Sequence, residues 1–171
     1  MTQEASQSTL LELLHGAGAH ADPVACVDDI PAELAGRQLE GYPHSIWQIV
    51  FHMNYWMDYE LRRLQEEEPP YPKHAAESWP PLSDPPAELE WKREVRRFAD
   101  LINDLAALAE SGPELLHREV SATHPANAER SSSVLAVLWQ TVVHNSYHVG
   151  QVALLRRALG IWPPQAGGDT W

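Results

Sequence analysis

Two histidines four residues apart, His144 and His148, stand in the segment Thr141-Val-Val-His144-Asn-Ser-Tyr-His148-Val-Gly-Gln151. On a helix this spacing stacks the two imidazoles on one face, which is how a helix offers two nitrogens to one ion. A turn of ~100° per residue puts Val137, Thr141, His144, His148, Gln151 and Leu155 in one narrow stripe, so both rings face the core. Stacked imidazoles in an apolar stripe need a shared partner, and an ion is the simplest one. Catalytic zinc-like sites hold three protein groups and keep a position open, so a third ligand is required. His52 lies in the middle of another long predicted helix, beside Ile49 and Trp56 on its apolar arc, and is the choice for that ligand. His44, at the start of the same helix, reads as a capping or surface residue. His15, His20, His74, His117 and His124 fall in loops or frayed ends and are the alternatives.

Three neutral imidazoles leave the double charge of an ion uncompensated, so a water or thiol bound to it loses its proton far more readily than in bulk. The resulting nucleophile would be hydroxide in a hydrolase or thiolate in a thiol transferase. Asn145, Tyr147, Gln151 and Tyr55 are candidates for orienting a ligand or an imidazole N–H, with packing or surface polarity as their plainer role. Arg62, Arg63, Arg156 and Arg157 could form a local basic patch for an anionic cosubstrate; their plainer reading is as solvated helix ends.

Other metal chemistries fit less well. A His-Glu-x-x-His peptidase needs Glu after the first histidine, where this chain has Asn145. A di-iron bundle needs two inward Glu-x-x-His pairs; Glu12–His15 and Glu114–His117 have the spacing but abut Gly16 and Pro113 at helix margins. The rival from another class is a non-catalytic bundle, in which a closed ion or a His cluster ties two helices together and the surface binds a partner.

The elements that must position these residues follow from periodicity. A short first helix around Leu10, Leu11, Leu13 and Leu14 is interrupted by Gly16-Ala-Gly18, and short helical pieces follow between Asp22-Pro23 and Gly36. The second long helix starts near Pro43 or Ser45 and runs through Ile46, Ile49, Val50, Met53, Trp56, Met57, Leu61 and Leu64. Prolines between Glu66 and Pro86 exclude helix interior and central strand, leaving a long loop of the kind that is often functional and could wall a pocket. Asp84-Pro85 is the expected cap and first turn of a third helix carrying Trp91, Val95, Phe98, Leu101, Ile102, Leu105 and Leu108, which ends at Ser111-Gly112-Pro113. A polar connection through His117 and His124 leads to Ser131–Ser133, which cap the fourth helix; that helix stops at Gly160. No alternating segment of useful length signals a strand. The prediction is an all-α, single-domain four-helix bundle over residues 1–171, with the Pro-rich loop between its second and third helices.

Composition narrows the function further. Lys and Arg total 12 against 24 for Asp and Glu, a formal net charge of −12 that argues against a nucleic-acid partner. No apolar run approaches the ~20 residues needed to cross a bilayer, and the polar start Thr2–Ser8 carries no export signal, so a cytoplasmic protein without a membrane partner is expected. Cys26 is the only cysteine and reads as a small packing residue. The tail Gly167-Gly-Asp-Thr-Trp171 reads as a flexible stretch ending in one aromatic.

The segment His44-Ser-Ile-Trp-Gln-Ile-Val-Phe-His52-Met-Asn, together with His144-x-x-x-His148-x-Gly-Gln151, resembles the DinB-like (YfiT-like) four-helix metalloproteins. The likeness covers most of the chain in helix order and spacing, with these two motifs as its specific part. It implies that His52, His144 and His148 match the three metal-ligating positions and that the ion is divalent, zinc or nickel foremost. It further implies a homodimer, and either a metal-dependent hydrolase or a transferase of a low-molecular-weight thiol such as bacillithiol or mycothiol. The interrupted first helix departs from the family pattern.

Overall fold

The computed structural model describes residues 3–123 and 130–167. Its helices are α1 (Gln3–Leu14), α2 (Ala25–Asp28), α3 (Ala32–Ala35), α4 (Ile46–Leu64), α5 (Glu88–Ala109), α6 (Pro113–Leu116) and α7 (Val134–Leu159). The four long ones, α1, α4, α5 and α7, form the expected bundle: α4 packs on both α5 and α7, and α1 packs on the same two helices. The apolar residues recurring at three and four positions meet in one core, with Leu10 and Leu14 from α1, Met53 and Met57 from α4, Phe98, Ile102 and Leu105 from α5, and Val137, Leu138 and Val152 from α7. Each such side chain contributes on the order of 1.5–3 kcal/mol by leaving water. Among the described residues no helix is long and apolar enough to cross a membrane.

The ends of α4 and α7 fix where the histidines sit. Ser45 caps α4 through a reciprocal box: its Oγ accepts from the Gln48 amide at 3.2 Å, and Gln48 Oε1 accepts from the Ser45 amide at 3.1 Å. The same Ser45 hydroxyl donates to Ser83 O at 2.6 Å, tying the end of the Pro-rich loop to the start of α4. Within α4, Asn54 is fully buried and donates to the Glu94 carboxylate at 2.7 Å and the Glu94 carbonyl at 3.0 Å, locking α4 against α5. Ser133 caps α7 by accepting from the Ala136 amide at 3.1 Å, and Gly160 ends that helix at φ 74°, a conformation that favours glycine. Gly16 at φ 73° breaks the chain after α1 as its position in the sequence implied.

Three expectations are corrected. The third long helix begins at Glu88 with Ala87 as its flanking residue, and not at Asp84-Pro85. Successive prolines keep the preceding residues extended, and Asp84 instead lies so close to Gly36 that a Cβ there would stand 2.4 Å from its Oδ1. A two-stranded antiparallel ladder, β1 (Glu119–Ser121) with β2 (Ser131–Ser133), precedes α7. Three residues per strand are too few to show an alternating pattern. Arg156 is not a solvated helix end: it is 2% exposed and donates to Asp29 Oδ1 at 2.5 Å, to Cys26 O at 3.0 Å and to Ile161 O at 2.8 Å. His124 and residues 168–171, with Trp171, lie outside the described residues.

Candidate metal centre

The packing of α4 on α7 brings His52 to His144 and His148. Ring centroids stand 5.2 Å apart for His52–His144, 4.9 Å for His52–His148 and 4.5 Å for His144–His148. One nitrogen from each ring lies within 4.8 Å of the others, and the Nε2 atoms of His52 and His144 are 3.3 Å apart. His52 and His148 are buried, while His144 is half-buried. Among the described residues this is the one group of three or more His, Cys, Asp or Glu side chains arranged to hold an ion.

Hydrogen bonds on the far side of two rings set which nitrogen faces inward. Ser78 Oγ donates to Ala75 O at 2.8 Å, so toward His52 Nδ1, 3.0 Å away, it accepts. His52 therefore carries its proton on Nδ1 and turns an Nε2 lone pair to the cluster. His148 Nδ1 donates to Gln151 Oε1 at 2.7 Å, which leaves its Nε2 unprotonated as well. Gln151 is steadied by donating through Nε2 to the Tyr147 hydroxyl at 3.2 Å. Trp79 stacks on His52 at 3.9 Å and 11°, and His44 stacks on the opposite face of the pair at 3.8 Å from Trp79.

The rings are held neutral. Burial, and then the neighbouring His148 and His144, push His52 down to about 3. Burial, with His144 next, pushes His148 down to about 4, and burial also lowers His144. Neutral imidazoles are the ligating form. The His52–His144 spacing fits too: nitrogens at about 2.0–2.1 Å from a tetrahedral ion stand roughly 3.3–3.4 Å from each other, against 3.3 Å between these two Nε2 atoms. These three residues can hold a divalent ion.

A cavity of ≈ 270 Å³ opens beside His144, lined also by Trp56, Glu60, Gln140 and Thr141. Among the described residues no fourth His, Cys, Asp or Glu joins the group, and the cavity gives the cluster an approachable side.

The structure sorts the remaining sequence candidates. Gln151 holds His148, with Tyr147 behind it. Asn145 is buried and donates its amide N–H to the Met57 sulfur at 3.1 Å, while its side chain also hydrogen-bonds His144. Tyr55 lines a separate cavity with Phe51, Asp58 and Arg97. The four arginines form no free basic patch: Arg62 pairs with Glu67, Arg63 with Glu60, Arg156 with Asp29, and Arg157 lies over the Trp162 ring at 4.6 Å. His15 reaches Asp22 at 3.8 Å, and His20 contacts Ser146 at 2.9 Å. Glu12 accepts from Ser8 at 3.4 Å, and among the described residues the Glu12–His15 pair is in no group arranged to hold an ion. Cys26 is buried, and burial raises its thiol to about 11, in keeping with a packing role.

Sequence reasoning missed Ser78, Trp79 and Glu60. Ser78 and Trp79 come from a loop whose path no periodicity reveals, although a tryptophan between runs of proline was a signal. Glu60 had a clearer one, since His52, Trp56 and Glu60 recur every four residues on α4.

The model of a family described as the DinB superfamily matches residues 7–152 of the chain. No curated protein and no solved structure matches it.

Proposed function

The chain belongs to the DinB superfamily, and on that premise we propose that it is a metal-dependent enzyme with His52, His144 and His148 as ligands. Zinc or nickel is the ion, and a small nucleophile, a low-molecular-weight thiol or water, is what the site activates for transfer or hydrolysis. The observation that carries this reading is the convergence of three ring nitrogens within 4.8 Å, two of them 3.3 Å apart, beside an open cavity, with no fourth ligand in the group among the described residues. A structural ion would call for a fourth protein group. Bound there, a divalent ion supplies Lewis acidity that lowers the pKa of a thiol or water near neutral pH.

The chain's own residues supply the rest. Ser78 and Gln151 hold the Nδ1 protons of His52 and His148 and so keep both Nε2 lone pairs directed inward. Trp79 covers one face of His52, shielding the cluster from water on that side. Trp56 and Thr141 shape the cavity through which a substrate approaches His144. The test is elemental analysis of protein prepared without chelator. About one divalent ion per chain is expected, and its survival in a variant with all three histidines changed to alanine would refute the ligand set.

We further propose that the protein pairs with a second copy of itself along α7. From Val134 to Leu155 this helix has no Asp, Glu, Lys or Arg, yet Val143, Tyr147 and Leu154 are 65%, 66% and 57% exposed. A helix apolar on every side is normally covered. Between chains of net charge −12, a charge-free face is also where two copies meet with least repulsion.

A further inference from the structure

Trp56 and Glu60 follow His52 at four-residue steps, so all three lie along one side of α4. Where that side meets α7, Glu60 is the one carboxyl group among the described residues that line the cavity beside His144. Thr141 is not a rival proton carrier, because its hydroxyl donates to Val137 O at 3.0 Å. Gln140 and Trp56 do not titrate in the accessible range.

Glu60 is moored for such a task. Arg63 contacts its carboxylate at 2.9 Å and donates through another nitrogen to Ser121 O of β1 at 3.2 Å. The two side chains are 22% and 11% exposed, so the pair is largely withdrawn from water. Burial raises the Glu60 carboxyl above its ordinary value, and Arg63 offsets that only in part. Among the described residues, Tyr59 on α4 also bears on it besides Arg63, and His144 on α7 lines the same cavity. A carboxylate raised toward neutrality takes and returns protons more effectively than an exposed one.

We propose that Glu60 is the proton-transferring residue of this cavity. A thiol entering beside His144 loses its S–H proton to Glu60, whose oxygen forms the new O–H bond, while sulfur keeps the electron pair and bonds to the electrophilic carbon. The leaving group departs with its bonding pair and takes the proton back from Glu60, so no net proton or electron is consumed. Water follows the same path with oxygen in place of sulfur. The role rests on the metal reading above and assigns the proton, which that reading leaves without a carrier.

The alternative is an ion pair between neighbouring turns of α4 with no chemical role. Calorimetric titration of the cobalt-loaded full-length protein with 2-mercaptoethanol separates the two. Performed at neutral pH in buffers of different ionisation enthalpy, it counts the protons released as the thiol binds, and the cobalt–sulfur absorption band reports occupancy. The native protein should release well under one proton per thiol, because Glu60 retains it. Glu60→Gln, at unchanged cobalt content, should release about one. Arg63→Ala, which removes the ion pair but keeps the carboxylate, should behave like the native protein. Equal release by the native protein and Glu60→Gln overturns the proposal, as does release of about one proton per thiol by the native protein if Glu60→Gln does not fold. Failure of the native cobalt protein to bind the thiol overturns it too. Failure of the native chain to take up cobalt overturns the metal reading itself and this role with it.

Discussion

Ser78 Oγ stands 3.0 Å from Nδ1 of His52, and because that hydroxyl already donates to Ala75 O, the imidazole must be the donor. A residue 26 positions away in a proline-rich loop thus decides which nitrogen of His52 faces His144 and His148. Removing the hydroxyl frees the ring to change tautomer and orientation. Ser78→Ala should therefore weaken zinc binding by about 10–100-fold while leaving the helical content unchanged. Competition with a chromophoric chelator reads the first and far-ultraviolet circular dichroism the second; unaltered zinc affinity would remove Ser78 from the site.

Gln151 plays the matching part for His148 at 2.7 Å. Gln151→Leu, which keeps the side chain's bulk and loses the acceptor, should lower zinc affinity by a similar order, about 10-fold or more. Gln151→Glu retains an acceptor and should preserve most of the affinity. The order native, then Glu, then Leu is the expected outcome of the same competition assay.

The ion-free protein should lose stability on mild acidification. His52 and His148 protonate near 3 and 4 in the folded chain, against about 6.5 when unfolded. Between those limits the unfolded chain binds protons that the folded chain does not, so stability is complete above about pH 6.5 and declines as pH falls toward 4. At pH 5 the loss is on the order of 1–2 kcal/mol for each of the two rings. Denaturant melts of chelated protein at pH 7.5 and 5 test this, and His52→Phe should flatten the dependence. A native profile with no slope in that interval contradicts the neutral, buried rings.

Arg156 and Asp29 carry no chemistry but hold α7 to the segment after α2. The guanidinium is 2% exposed, with its donors on Asp29, Cys26 O and Ile161 O. Asp29→Ala leaves that charge buried without its carboxylate and should cost about 3 kcal/mol, measurable as a lowered denaturant midpoint. Arg62→Ala, which loses only a half-exposed pair with Glu67, should change stability by under about 1 kcal/mol.

Pairing along α7 predicts that the native protein sediments as a dimer and that Val143→Glu with Leu154→Glu yields a folded monomer. Both positions are more than half exposed in the single chain, so the change should not damage the core. A native monomer at tens of micromolar would exclude the pairing.

Local sequence determined the helices and the facing of their histidines. Apolar residues at three- and four-residue steps identified the long helices, Ser45 and Ser133 cap where capping chemistry places them, and Gly16 and Gly160 stop helices as expected. The four-residue step from His144 to His148 fixed a shared face because helix geometry is local. What surrounds that face was decided by tertiary structure. The start of α5 shifted to Glu88 because Pro85 and Pro86 hold the chain extended and Asp84 packs on Gly36. Arg156 became buried because Asp29, Cys26 O and Ile161 O converge on it from elsewhere in the chain. Ser78, Trp79 and the pairing of Glu60 with the His144 cavity likewise depend on the course of a loop and the crossing of α4 over α7. Periodicity reports which way a side chain points from its own helix; only packing determines what it meets there.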